Sequence, residues 1–173
     1  MYLRRMCPGI PVTLVAGLLD DIGLENREVL QEGRAQFGVV AGDTDVIYEC
    51  LIALQKIRDE SAARGVTFLL HDLDEKVQLA AIETVGLLED KSAEPQLGDV
   101  LDQSGNTKVK RAALTSLAML RDDKNRGVFR KYLSDKDEGL RAAAAEGFAR
   151  LKNPADFPMI EAAFRDEDKI APG

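Results

Sequence analysis

The sequence predicts an all-α fold, an alpha solenoid in which about five helical hairpins stack as a right-handed superhelix. Three observations carry this. First, the stretch from Val77 to Leu120 copies itself: Val77, Ala80, Ala81, Val85, Leu88 and Asp90 return 32 positions later as Val109, Ala112, Ala113, Leu117, Leu120 and Asp122. The set returns 31 positions on as Leu140, Ala143, Ala144, Phe148, Leu151 and Asn153, and runs backwards by 31 to Val46, Glu49, Cys50, Leu54, Ile57 and Asp59. One period over four copies marks stacked units, none of which can bury its apolar face alone. Second, the apolar positions inside each copy fall at three- and four-residue spacing, the mark of a helix with one buried face. Third, Asp59, Asp90, Asp122 and Asn153 hold the same place in every copy, and all four are residue types that cap helices. Each unit therefore turns sharply from a first helix into a second.

Composition supports closely packed helices and narrows the partners. Apolar residues make up 45% of the 173 positions, yet aromatics are only 5% and tryptophan is absent, so the buried surface has to be made of Ala, Leu, Val and Ile. A net charge of −7 weighs against nucleic acid, whose phosphates would be repelled unless the basic residues were gathered in one patch. No run approaches the roughly 18 apolar residues of a membrane span. Cys7 and Cys50 lack paired spacing, so neither suggests a disulfide scaffold, and a reducing, cytoplasmic setting is the default. Cys50 stands in the column of Ala81, Ala113 and Ala144 and reads as a small buried hydrophobe.

Taken in order, residues 1–42 read as a divergent N-terminal hairpin. Arg4 and Arg5 ahead of an apolar run imitate a signal segment, but Pro8, Gly9 and Pro11 interrupt it, and Pro11 instead suits the start of a helix. A second helix is expected from Glu25 to about Val40. Units follow at about 43–71, 72–103, 104–134 and 135–166, then a truncated tail. In the first of these, Asp43, Thr44 and Asp45 offer side-chain oxygens to a helix from Val46 to Arg58, and Asp59 leads into a helix carrying Val66, Leu69 and Leu70. The second helices align as Val66, Leu97, Phe129 and Ile160, and as Leu70, Leu101, Leu133 and Phe164. Asp72 with Glu75, and Asp135 with Glu138, have the spacing of capping boxes. Pro154 after Asn153 fits a first helical position. The chain closes on Ala171, Pro172 and Gly173 without a polar capping helix, so Met159, Ile160, Phe164 and Ile170 are expected to form an apolar end. A longer array, self-association through that end, or a tail folded over it would each account for this.

The segments "DLDEKVQLAAIETVGLLED", "TKVKRAALTSLAMLRDD" and "KDEGLRAAAAEGFARLKNP" resemble the HEAT-like repeat family in its short, phycobilisome-lyase-type form. The shared features are an acidic loop, a hydrophobic then a basic residue, an alanine pair, and a Leu-x-Asp exit into the second helix. The resemblance covers about Asp43 to Phe164. It implies an aspartate–arginine ladder between units, which Asp135 with Arg141 fits and Asp72 with Gln78 and Ser104 with Lys110 do not. It also implies that the second helices line a concave surface.

Chemistry is poorly represented. Hydroxylases built from similar repeats carry His-Glu pairs, whereas the one histidine, His71, precedes Asp72 and reads as an end-of-helix residue. No base accompanies a nucleophile, and no glycine-rich loop precedes a lysine and a hydroxyl. No catalytic residue, metal ligand or cofactor is expected. The expected function is noncatalytic protein binding or scaffolding; the alternative is an accessory subunit or enzyme of the lyase or metal-dependent hydroxylase kind. On the second helices the outward positions are Arg64, Thr67, Phe68, Asp99, Arg126, Arg130, Lys131, Glu161 and Arg165. Their mixed charge suits a protein or peptide, with Phe68 or Tyr132 as anchors, since aromatics and arginine dominate binding hot spots.

Overall fold

A computed structural model describes residues 41–60 and 65–167. The N-terminal hairpin expected over residues 1–42, Cys7, Arg64 and the tail with Ile170 lie outside the described residues, apart from the start of the first helix below. Among the described residues every regular element is helical. These are α1 (Ala41–Ile57), a 3-10 helix (Thr67–His71), α2 (Glu75–Leu87), a 3-10 turn (Lys91–Ala93) and α3 (Glu94–Gln103). Then follow α4 (Thr107–Leu120), a 3-10 turn (Asp123–Asn125), α5 (Arg126–Tyr132), α6 (Glu138–Leu151), a 3-10 turn (Pro154–Asp156) and α7 (Phe157–Glu167). The chain divides into two compact units, Met1–Gln96 and Leu97–Gly173.

In the first unit α1 packs on α2, and α2 on the 3-10 helix. Cys50, Leu51, Leu54, Val66, Leu70, Val77, Ala81, Ile82 and Val85 form its core. The column alanine Ala81 and its counterpart Cys50 are both closed from solvent, as the repeat requires. Burial pushes the Cys50 thiol above its ordinary range, and the neighbouring Glu49 charge adds to this. Two polar groups cross the helix pair: the Gln55 amide donates to the Ala80 carbonyl at 3.2 Å and to the Thr84 hydroxyl at 3.1 Å.

In the second unit α4 packs along α6, and α5 lies against α6. Val109, Ala113, Leu114, Leu117 and Leu120 of α4 and Leu140, Ala144 and Phe148 of α6 are buried with Leu97, Leu101, Phe129 and Leu133 from the second arms. The Phe129 and Phe148 rings meet edge to face, with centroids 6.0 Å apart. Gly147 explains how they fit. A Cβ there would come within 2.5 Å of the Phe129 ring, so α6 presents bare backbone to the aromatic side chain. Thr84 and Ser116 fill the same register, and both are buried.

The joints depart from expectation in instructive ways. The N-caps of α2, α4 and α6 are Asp74, Asn106 and Asp137, two residues beyond the positions expected at Asp72 and Asp135. Each cap accepts from N–H groups of the first turn at 2.9–3.1 Å. Asp72, Ser104 and Asp135 instead accept the N–H of the cap residue itself, at 2.8–3.1 Å. A short side-chain oxygen serves a turn as well as a helix end, which is why spacing alone misplaced the caps. Similarly, α1 starts at Ala41, so Asp43, Thr44 and Asp45 lie inside the helix and not before it. The Asp45 carboxylate accepts from the Lys76 ammonium at 3.1 Å.

Asp90, Asp122 and Asn153 do cap, each opening a 3-10 turn that runs on into the second helix. Immediately before Asp59 and these three, Arg58, Glu89, Arg121 and Lys152 all have φ between 51° and 56°. A left-handed residue ends the first helix in every copy. In place of the second helix expected beside Val66, the first unit has the 3-10 helix Thr67–His71, with His71 exposed at its end. Arg141 donates to the carbonyls of Asp135 and Lys136 at 2.9 and 3.1 Å, and Gln78 donates to the Leu70 carbonyl at 2.9 Å. The rung between arms is thus made to backbone carbonyls, which arginine and glutamine can both reach.

Candidate functional site

The second arms of the second unit each have a buried side and an exposed side, and the exposed side holds most of the residues singled out from sequence. On α5, Phe129 and Tyr132 point inward while Arg130 and Lys131 are exposed. On α3, Leu97, Val100 and Leu101 are buried while Asp99 and Asp102 are exposed. On α7, Phe157, Glu161 and Arg165 lie four residues apart on one stripe, all exposed. The exposed charges are partly paired: Lys131 sits 3.4 Å from Asp102, and Arg165 bonds Glu161 one turn back. Such exposed pairs contribute little to stability, about 0–1 kcal/mol each.

Arg126 is positioned differently. It is half-buried at the start of α5, 3.1 Å from Asp123 and 3.4 Å from Asp156 in the next hairpin. Asp156 is only 4% exposed and ends the 3-10 turn before α7; Ala93 and Asn125 are buried at the same place in their own turns. Its Oδ2 makes no directed hydrogen bond, so the Arg126 contact is a close charge pair. Arg126 thereby joins two hairpins as well as edging the exposed face.

Both expected anchors change. Tyr132 is 5% exposed, its hydroxyl 3.5 Å from the Leu101 carbonyl, and burial raises its pKa above the ordinary phenolic range. Phe68 is half-buried in the 3-10 helix of the first unit, beside the half-buried Thr67. Sequence reasoning passed over Phe157, which is 66% exposed. Its register is that of Arg126, one residue past a buried turn position, and that alignment was available in the sequence. Met159 and Ile160 are half-exposed, whereas Val66, Leu97 and Phe129 in the Ile160 column are fully buried.

Among the described residues no group of three or more His, Cys, Asp and Glu side chains is placed to hold a metal ion. No described helix is long and apolar enough to cross a membrane. In comparisons with known proteins, no curated protein matches the chain. Residues 94–171 match the family model described as HEAT repeats. That span contains the capped first helices α4 and α6, the left-handed residues Arg121 and Lys152, and the second arms α5 and α7. The match supports a HEAT-like repeat family for this chain over residues 94–171.

Proposed function

We propose that the chain is a noncatalytic protein-interaction or scaffold module. Its binding surface is the solvent side of the second arms of the second unit, with Asp99, Arg126, Arg130, Lys131, Glu161 and Arg165; Arg64, Thr67 and Phe68 of the first unit stay partner-binding candidates on the sequence pattern alone. One observation carries the reading most directly. α5 buries Phe129 and Tyr132 and turns Arg130 and Lys131 to solvent, so the helix that completes the core also displays charge. HEAT repeats as a class serve protein–protein interaction, because stacked hairpins offer extended surfaces without needing a closed pocket. Repeat units at about 43–71, 72–103, 104–134 and 135–166, stacked in a right-handed sense, belong to the same proposal. So does a cytoplasmic setting, in keeping with the free, buried Cys50. The lyase or hydroxylase alternative rests on family resemblance alone.

A photo-crosslinking amino acid at Lys131, compared with one at Glu83 on the exposed side of α2, tests this in extract from the source cells. A discrete adduct from position 131 and none from position 83 is expected. Equal labelling from both, or none from 131, would overturn the choice of face.

A further inference from the structure

Building on the interaction-module reading, we propose that the α5–α7 strip docks an acidic segment of its partner that also carries an apolar side chain. Charge bookkeeping on this face singles out one residue. Lys131 is matched by Asp102, Arg165 by Glu161, and Arg126 by Asp156 and Asp123. Arg130 is exposed and pairs with no carboxylate among the described residues. An unpaired guanidinium offers a planar fork of donors suited to a carboxylate.

The apolar half of the surface lies nearby. Arg126 is one turn before Arg130 on α5 and reaches Asp156, which directly precedes the exposed Phe157. Arg130, one turn from Arg126, is thereby linked through the Arg126–Asp156 pair to the start of α7, where Phe157 is exposed. Backbone beside Arg126 is open, since a side chain added at Gly127 would meet nothing within 4 Å. Asp99, exposed on α3, disfavours a carboxylate on that side and confines the partner's acid to α5 and α7. Aromatic and arginine residues on open ground of this kind are the types that dominate hot spots.

Selection of a random peptide library on the purified full chain tests the proposal, with affinities of enriched peptides measured by fluorescence anisotropy. Enriched peptides should combine Asp or Glu with a Leu, Ile or Phe. Arg130→Glu should shift enrichment toward Lys and Arg, and Phe157→Ser should weaken binding about tenfold or more. Both residues are exposed, so both variants should keep the fold. Lys136→Glu, the same charge change at an exposed loop position, should leave binding unchanged. Enrichment indifferent to charge, or unmoved by Arg130→Glu, overturns the proposal and leaves the interaction module standing. Enrichment of nothing overturns both.

Discussion

At the scale of single residues, the joints of the repeat rest on side chains whose size or charge cannot be exchanged freely. Gly147→Ala should raise helix propensity by about 1 kcal/mol, but the new methyl runs into the buried Phe129 ring. A net loss of about 1–3 kcal/mol in thermal or denaturant unfolding is expected, because overpacking a closed core outweighs propensity. Asp137 gives a pH signature. The Leu140 N–H, and after it the Arg111 guanidinium, hold its carboxyl below the ordinary carboxylate range against the opposing effect of burial. A lowered folded-state pKa means that its stabilisation is complete above the unfolded value near about 4 and is lost as pH falls through the folded one. Asp137→Asn can still cap, as Asn106 does in α4. Its melting temperature should therefore fall less than that of the wild type between about pH 6 and about pH 2. An equal fall would assign the acid sensitivity to other carboxylates.

At the scale of elements, the link between the α5 and α7 hairpins is the Arg126–Asp156 pair. Arg126→Met strands a nearly buried carboxylate and should cost about 2 kcal/mol, within the usual range for leaving a buried polar group unmatched. Asp156→Asn should cost less, since Asn125 already occupies the equivalent buried position. Denaturant unfolding of the two variants side by side checks the order. The alanine columns sort similarly: Ala113 is closed and Ala112 half-exposed, so leucine at Ala113 should cost about 1–3 kcal/mol and leucine at Ala112 less. Which elements could be read beforehand follows from what repeats. Val77, Val109 and Leu140 are buried alike because burial imposes one period on every copy. The caps slipped by two residues because Asp72 and Asp74 are chemically the same residue with different neighbours. Sequence alone leaves Tyr132 an anchor candidate because its ring suits a core while its hydroxyl suits a surface; the Leu101 carbonyl, 3.5 Å from that hydroxyl, decides for the core.

At the scale of the whole molecule, the exposed side of the second arms, and with it the proposed binding face, follows from the same period as the core. Once the first helices fix the buried positions, the second arms turn Phe129 inward and Arg130 outward, and which side of α5 meets solvent was legible for that reason. Its pairing was not legible, because Lys131 reaches Asp102 across 29 positions of sequence. The ends of the pattern are the least regular. Ile57 is 43% exposed and Leu151 half-exposed, while Leu88 and Leu120 in the same column are buried.

The most direct test of the repeat register is a solution measurement of backbone φ from assigned chemical shifts and couplings of the full chain. A left-handed φ is required at Arg58, Glu89, Arg121 and Lys152, with right-handed helix over residues 75–87, 107–120 and 138–151. Helical or extended φ at those four positions, or strand in any of the three segments, would contradict the repeat and the binding face drawn from it.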